Sequence, residues 1–193
     1  MARDDATTTA PSNILQPQIS FIGSVTDCTA QDLRDRLADP PQGDAPIVVE
    51  MTTLGGDPEM ARRMIVEIDR ARERLAPRRL VFLGTTIVYS AGVTFMAAFP
   101  REDRFLTRDA TLLIHSRQLD KTLEIEGPIR PSIPMVEALL AQLKTGCDLE
   151  VKNFQRLIAG SDIAIEELNE RALYNWYLPA EEALKRKLVA GLV

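Results

Sequence analysis

The chain has 193 residues, of which 45% are hydrophobic and 26% charged, and its formal net charge is −5. This composition gives one globular domain enough apolar material for a core without disulfides or a structural metal, and the scattered basic residues argue against nucleic acid as a partner. Because no apolar run approaches the roughly 18 residues of a membrane span, we expect a water-soluble protein of the cytosol.

The first half of the chain predicts alternating strands and helices. Residues 1–17 lack hydrophobic periodicity and are expected to form a flexible arm, so that the ordered domain spans residues 18–193. The strand QISFIG is followed by a helix from Thr29 to Ala38, and the strand PIVVEM leads through the turn TTLGGD to a helix from Pro58 to about Arg74. This order indicates an α/β domain with a mostly parallel sheet.

The second half continues the pattern and ends in helices. The strand RLVFLG leads to a small-residue helix that begins near Ser90, and the strands DRFLT and TLLIHS follow. A long helical pattern from Ser132 to about Ala159 predicts a helix that projects from the domain. The segments SDIAIEELNERAL and PAEEALKRKL predict two shorter helices.

Two residues are candidates for acid–base and nucleophilic chemistry. His115 is the only histidine in the chain, so a reaction that needs an imidazole base has no other candidate. A lone histidine at the end of an apolar strand is more often structural than catalytic. Ser90 can likewise be a simple helix cap, but a nucleophile at this position has backbone N–H groups beside it, including that of Ala91, that can bind a developing oxyanion.

The glycine pair Gly55 and Gly56 follows a predicted strand and precedes a helix. Glycines at such a turn let backbone N–H groups approach a ligand, although the pair can also be only a tight turn. The stretch TTLGGDPEM matches neither GxGxxG nor GxxxxGK[ST], and Asp57 would repel a phosphate. Oxyanion binding is the functional interpretation that remains.

The sequence predicts neither a metal nor an organic cofactor. Cys28 and Cys147 are far apart and belong to no CxxC motif or Cys/His cluster. They are therefore expected to be reduced thiols.

Five motifs occur along the chain in the order ISFIGSV, TTLGGD, YSAGVTFMAAF, LTRDATLLIHS and YLPAEEALKRKLVAGLV. In this order they resemble the opening strand, the Ser-Pro-Gly-Gly turn, the nucleophile helix, the Leu-Pro…Ile-His segment and the C-terminal segment of the proteolytic subunit of the Clp protease family. The resemblance covers about residues 18–193. The 25 positions from Ser90 to His115 also equal the usual nucleophile-to-base spacing of that family.

The resemblance implies a fold and a set of site residues. The fold is the α/β Clp/crotonase type, a superhelix of ββα units around a mostly parallel sheet with a protruding handle helix. Ser90 is implied to be the nucleophile and His115 the general base. The backbone N–H groups of Gly56 and Ala91 are implied to form the oxyanion hole, and no metal or cofactor is required.

The third member of the implied catalytic triad does not match. The family has an aspartate in the helix after the long projecting helix, and this chain has none there. Alignment from Gly160 gives Asn169, whereas alignment from the YLPAEEA motif gives Arg171, with Glu170 between them. Arginine cannot accept the imidazole N–H, so Asn169 and Glu170 are the usable candidates, with Asn169 preferred. An asparagine here predicts a slow or conditionally active enzyme, because it can hold the wrong histidine tautomer.

The implied function is hydrolysis of peptide bonds through an acyl-enzyme, by a serine endopeptidase that forms part of a proteolytic chamber. The resemblance implies homo-oligomeric stacked rings closed through the handle helices, acting on peptides or unfolded proteins. An ATP-driven unfoldase is an implied partner, because the chain has no nucleotide-binding motif of its own. Two alternatives stay open, namely a catalytically silent ring subunit and a crotonase-type acyl-CoA enzyme. The segment DKTLEIEGPIRPSIP is longer than its counterpart in the family, which weakens the transfer of substrate specificity.

Overall fold

The computed structural model describes residues 9–193. The predicted flexible arm, residues 1–17, therefore lies partly outside the described residues. Its described part packs on the domain, because Ile14 is buried and the amide of Asn13 donates a hydrogen bond of 2.9 Å to the carbonyl of Pro46. The chain is thus anchored before the first strand.

A seven-stranded sheet forms the centre of the domain. Its strands are β1 (Ile19–Ile22), β2 (Ile47–Thr53), β3 (Leu80–Tyr89), β4 (Arg104–Leu106), β5 (Thr111–Ile114), β6 (Trp176–Pro179) and β7 (Gly191–Leu192). They are ordered β1-β2-β3-β4-β7, with β5 paired to β3 and β6 paired to β5. All pairings are parallel except that of β5 with β6. The predicted mostly parallel sheet is confirmed.

Strand β3 pairs with two different neighbours on one side. Residues 82–84 pair with β4, and residues 87–89 pair with β5. The sequence predicted a strand only to Gly84, but the β-branched run that follows continues it to Tyr89. This extension carries the chain to the edge of the sheet where Ser90 begins the next helix.

Six α-helices accompany the sheet within the described residues. They are α1 (Asp27–Ala38), α2 (Pro58–Leu75), α3 (Ala91–Met96), α4 (Ile129–Ile158), α5 (Ile165–Ala172) and α6 (Ala180–Lys185). Two begin at well-formed caps. The hydroxyl of Thr26 caps α1, and the carboxylate of Asp57 caps α2 by accepting a 2.7 Å hydrogen bond from the N–H of Glu59.

The two faces of the sheet are buried by different parts of the chain, as the alternation of side chains along a strand requires. On one face, Val49 and Phe82 belong to the main apolar core, which the helices cover. On the other face, Val48 and Val81 belong to a smaller cluster that Ile14 and the C-terminal segment complete. The N-terminal segment around Ile14 therefore covers the face of the sheet that carries Val48 and Val81.

Helix α4 protrudes from this core. Of its 30 residues, only Ser132, Phe154 and Leu157 are buried. Its C-terminal end is fastened by Arg156, which donates 2.8 Å to the carbonyl of Ala97 and 2.9 Å to the carboxylate of Asp69. The long handle helix predicted from the sequence is confirmed, although it begins three residues earlier. No helix among residues 9–193 is long and apolar enough to span a bilayer.

Candidate active site

Ser90 lies at the junction between β3 and α3 in a strained backbone conformation, with φ 53° and ψ −110°. A positive φ is rare for a residue that has a Cβ atom. The backbone holds it there, because the N–H of Ser90 donates 2.9 Å to the carbonyl of Leu113 and its carbonyl accepts a 3.0 Å bond from Thr94. The Ser90 hydroxyl makes no capping bond within the described chain, so it is available to a ligand.

The glycine turn between β2 and α2 packs directly against this serine. A Cβ atom on Gly55 would lie 2.9 Å from the Cβ atom of Ser90, and one on Gly56 would lie 2.3 Å from the carbonyl oxygen of Val25. Their φ angles of 115° and 144° are also unfavourable for residues with side chains. The approach of Gly55 to Ser90 and that of Gly56 to the backbone of Val25 therefore each require glycine.

One cavity of about 220 Å³ is bordered by Ser90, His115, Gly56 and Ala91. These residues come from three separate stretches of the chain, since Ser90 and Ala91 are adjacent. Its apolar walls are Leu54, Val93, Ile114 and Phe154. The structure thus brings together four of the five residues that the sequence predicted for the site.

Two backbone N–H groups at this cavity have no acceptor within the described part of the chain. Neither the N–H of Gly56 nor that of Ala91 donates to an acceptor among residues 9–193. Ala91 is the first residue of α3, where helix N–H groups lack intrahelical acceptors. Two such donors beside a serine hydroxyl can bind the oxygen of a tetrahedral intermediate.

His115 follows the last residue of β5, and its ring is oriented by the main chain. Its Nδ1 atom lies 2.6 Å from the carbonyl oxygen of Ser116. A carbonyl oxygen can only accept, so Nδ1 carries the proton and Nε2 of the neutral ring is left as an acceptor. This is the tautomer that a general base needs to take a proton from serine.

No family model matches the sequence, and no curated protein matches it. Among solved structures, the chain is similar to an asparagine-to-aspartate mutant of ClpP1 from Listeria monocytogenes, with a TM-score of 0.69 over 91% of this chain and 90% of that chain. The chain has the Clp-protease fold. The fold class predicted from the five motifs is thereby confirmed. At 17% identity the likeness concerns the Clp-protease fold alone, and the capability of the site depends on the residues of this chain.

The structure does not bring the predicted third residue to the cavity. Asn169 and Glu170 are both exposed on α5, and neither borders the cavity. Helix α5 contacts the histidine segment through its main chain, where the carbonyl of Ala172 accepts a 3.1 Å hydrogen bond from the N–H of Ser116. The partner of His115 Nδ1 is a backbone carbonyl rather than a side chain of α5.

Two carboxylates that the sequence did not single out hold the segment after His115. The N–H of Arg117 donates to the carboxylate of Glu150 on α4, and the Arg117 guanidinium pairs with Glu59 on α2. Burial opposes the ionisation of Glu59, but hydrogen bonds from Arg117 and Arg62 outweigh it and lower the pKa of this carboxyl. In the sequence, the signal for these two contacts is Arg117, which lies two residues after His115. A half-buried arginine needs acceptors for its guanidinium, so an acidic partner could have been expected.

The described residues contain no side-chain cluster suited to a metal. Within the part of the chain that the structure describes, no three His, Cys, Asp or Glu side chains are arranged to hold an ion. Cys28 and Cys147 are both free thiols on the surface.

Proposed function

We propose that the chain is a serine endopeptidase of the Clp type, with Ser90 as nucleophile and His115 as general base. The observation that supports this proposal is that these groups border one cavity. Ser90 has a strained backbone, and His115 is held as the tautomer with the proton on Nδ1. The N–H groups of Gly56 and Ala91 lie at the same cavity. A structural role explains each residue alone. It does not explain their convergence on one cavity.

In the proposed reaction, Nε2 of His115 takes the proton of Ser90 Oγ while Oγ attacks the peptide carbonyl. The resulting oxyanion accepts hydrogen bonds from Gly56 and Ala91, each worth about 2.7 to 4 kcal/mol when well aligned. The C–N bond then breaks, and His115 returns the proton to the leaving amine. Water, activated by the same base, hydrolyses the serine ester and restores the enzyme.

The proposed enzyme works as a subunit of a chamber built from rings. Helix α4 carries exposed apolar side chains that one domain leaves uncovered, and these are Ile129, Ile133, Met135, Val136, Leu140, Leu143 and Val151. Such a stripe is a typical subunit interface.

A homo-oligomer closed through α4 would enclose the cavity, admit unfolded peptides and depend on a separate ATP-driven unfoldase for folded substrates. Light scattering should then show an oligomer that Leu140→Glu together with Leu143→Glu dissociates.

Covalent labelling tests the nucleophile directly. The purified protein is treated with a fluorophosphonate, and its turnover of a panel of fluorogenic peptides is measured beside Ser90→Ala. We expect labelling and hydrolysis in the parent protein and neither in the variant. Equal labelling of both proteins would rule out Ser90 as the nucleophile.

The second candidate is a catalytically silent ring subunit. It is favoured by one observation, that the Nδ1 partner of His115 is an uncharged backbone carbonyl. A silent subunit would resist the fluorophosphonate yet still form rings, so the labelling and light-scattering results together distinguish the two functions.

A further inference from the structure

We infer that Glu150 is a positioning residue that supplies the missing acidic function of the triad to His115 through one peptide group. This inference rests on the proposed function in that it assigns His115 the role of base. Glu150 lies on α4, whereas the sequence predicted the third residue of the triad on α5. The carboxylate acts on the imidazole without touching it.

Two hydrogen bonds share the peptide group that joins Ser116 to Arg117. Its carbonyl oxygen lies 2.6 Å from Nδ1 of His115. Its N–H, on the opposite side of the same planar group, donates to the carboxylate of Glu150. The order of contacts is therefore carboxylate, peptide N–H, peptide carbonyl, imidazole N–H, with Nε2 left for Ser90.

This arrangement strengthens the bond to the histidine. A peptide whose N–H donates to an acceptor is polarised, so its carbonyl oxygen becomes a better acceptor, and hydrogen bonds linked in this way reinforce one another. The acceptor here is a carboxylate, and hydrogen bonds to charged groups are the stronger class. As the imidazole becomes positive during the reaction, the negative charge of Glu150 stabilises it across the peptide.

The peptide group is also prevented from turning. The preceding N–H, that of Ser116, donates 3.1 Å to the carbonyl of Ala172, and the Arg117 side chain pairs with Glu59. Three elements, α2, α4 and α5, therefore hold the two consecutive residues Ser116 and Arg117. With both ends held, loss of the Glu150 contact affects the orientation of this one peptide rather than the whole segment.

The test uses the fact that His115 is the only histidine in the chain. In protein labelled with ¹⁵N, the shifts of the two ring nitrogens report the tautomer without interference from another imidazole. The rate of fluorophosphonate labelling is measured on the same samples. Glu150→Gln keeps an acceptor for the Arg117 N–H but removes the charge, whereas Glu150→Leu removes both. Asp148→Asn is the matched control, because it removes an exposed carboxylate from the same helix.

We expect the parent protein and Asp148→Asn to hold the Nδ1–H tautomer and to label equally fast. Glu150→Gln should keep the tautomer and label about tenfold more slowly, the effect of exchanging a charged acceptor for a neutral one. Glu150→Leu should mix the two tautomers and label more slowly still. Far-ultraviolet circular dichroism and light scattering confirm that each variant is folded and assembled.

An unchanged tautomer and an unchanged labelling rate in Glu150→Gln and Glu150→Leu would overturn the inference. So would an equal loss in Asp148→Asn, which would point to helix charge in general. If Glu150→Leu does not fold, the isosteric Glu150→Gln decides by its labelling rate alone. If the parent protein does not label at all, the proposed function fails, while the tautomer change in Glu150→Leu still tests the positioning role.

Discussion

A Cβ atom on Gly55 would lie 2.9 Å from the Cβ atom of Ser90, closer than real Cβ contacts allow. Gly55→Ala is therefore expected to displace Ser90 and to abolish fluorophosphonate labelling, with a loss of about 1 to 3 kcal/mol in the free energy of unfolding. Gly43→Ala is the control, since Gly43 also has a positive φ, 104°, but nothing within 4 Å. Equal labelling in the two variants would show that the contact with Ser90 is unimportant.

Replacement of Ser90 should separate backbone strain from chemistry. Ser90→Gly relieves the strain at φ 53°, so we expect its free energy of unfolding to rise by about 1 kcal/mol. Ser90→Ala keeps the strain and should leave stability unchanged. Both variants should be inactive. Urea denaturation checks the difference, and a Ser90→Gly protein no more stable than Ser90→Ala would mean that the junction is not strained.

The ion pair that joins Glu167 to Arg186 should make stability depend on pH. The hydrogen bond from Arg186 lowers the pKa of Glu167 below its usual 4.5. Because the folded-state pKa is the lower one, the contribution is complete above about pH 4.5 and is lost as the pH falls through the folded-state value. Glu167→Gln should therefore cost less than about 1 kcal/mol at pH 7, and this cost should shrink as the pH falls below 4.5. Glu166→Gln, an exposed neighbour, should have no effect over this pH range.

Arg104 should be a major determinant of stability, because it is 1% exposed and donates to backbone carbonyls alone. Its guanidinium binds the carbonyls of Leu157 at 2.6 Å and Phe99 at 2.7 Å, and burial lowers its pKa to about 10. Lysine lacks this fork of donors, so Arg104→Lys should cost about 2 to 4 kcal/mol in the free energy of unfolding. The same exchange at the exposed Arg108 should cost less than about 0.5 kcal/mol. Chemical denaturation of the two variants compares them.

Asn169→Asp tests whether α5 contributes a side chain to the site. Asn169 is exposed and does not border the cavity, so we expect the labelling rate to stay within about twofold of the parent protein. Glu170→Gln should be equally neutral. A large rise in rate for Asn169→Asp would mean that α5 reaches His115 in the working assembly and that the main-chain acceptor is not the final arrangement.

The elements that form locally could be predicted from the sequence. The buried apolar runs around Val48 and Val81 predicted strands, and Pro58 predicted the start of α2. Strand β6 was not predicted, because Trp176–Pro179 has only four residues and its partner β5 lies more than sixty positions earlier. A short segment of this kind becomes a strand only when the fold brings its partner beside it.

The candidate site was predictable where it depends on side chains with few alternatives. His115 is the only histidine, and Ser90 follows a strand and precedes a run of small residues. The partner of His115 was not predictable from residue types, because the acceptor is the carbonyl of Ser116 and every residue has one. Glu150 was equally unpredictable, since nothing in its local sequence distinguishes it from Glu137, the other glutamate of α4.

The carbonyl of Ser116 has a consequence for how hydrolases are recognised. Substitution at residue 116 changes the side chain and leaves the oxygen that holds His115 in its place. An acceptor that belongs to the main chain cannot be recognised in a sequence alignment, because every residue type has a carbonyl oxygen. The absence of an aspartate then gives no information on whether the histidine is oriented. Wherever the backbone takes this role, the triad letters alone do not tell whether a chain is active.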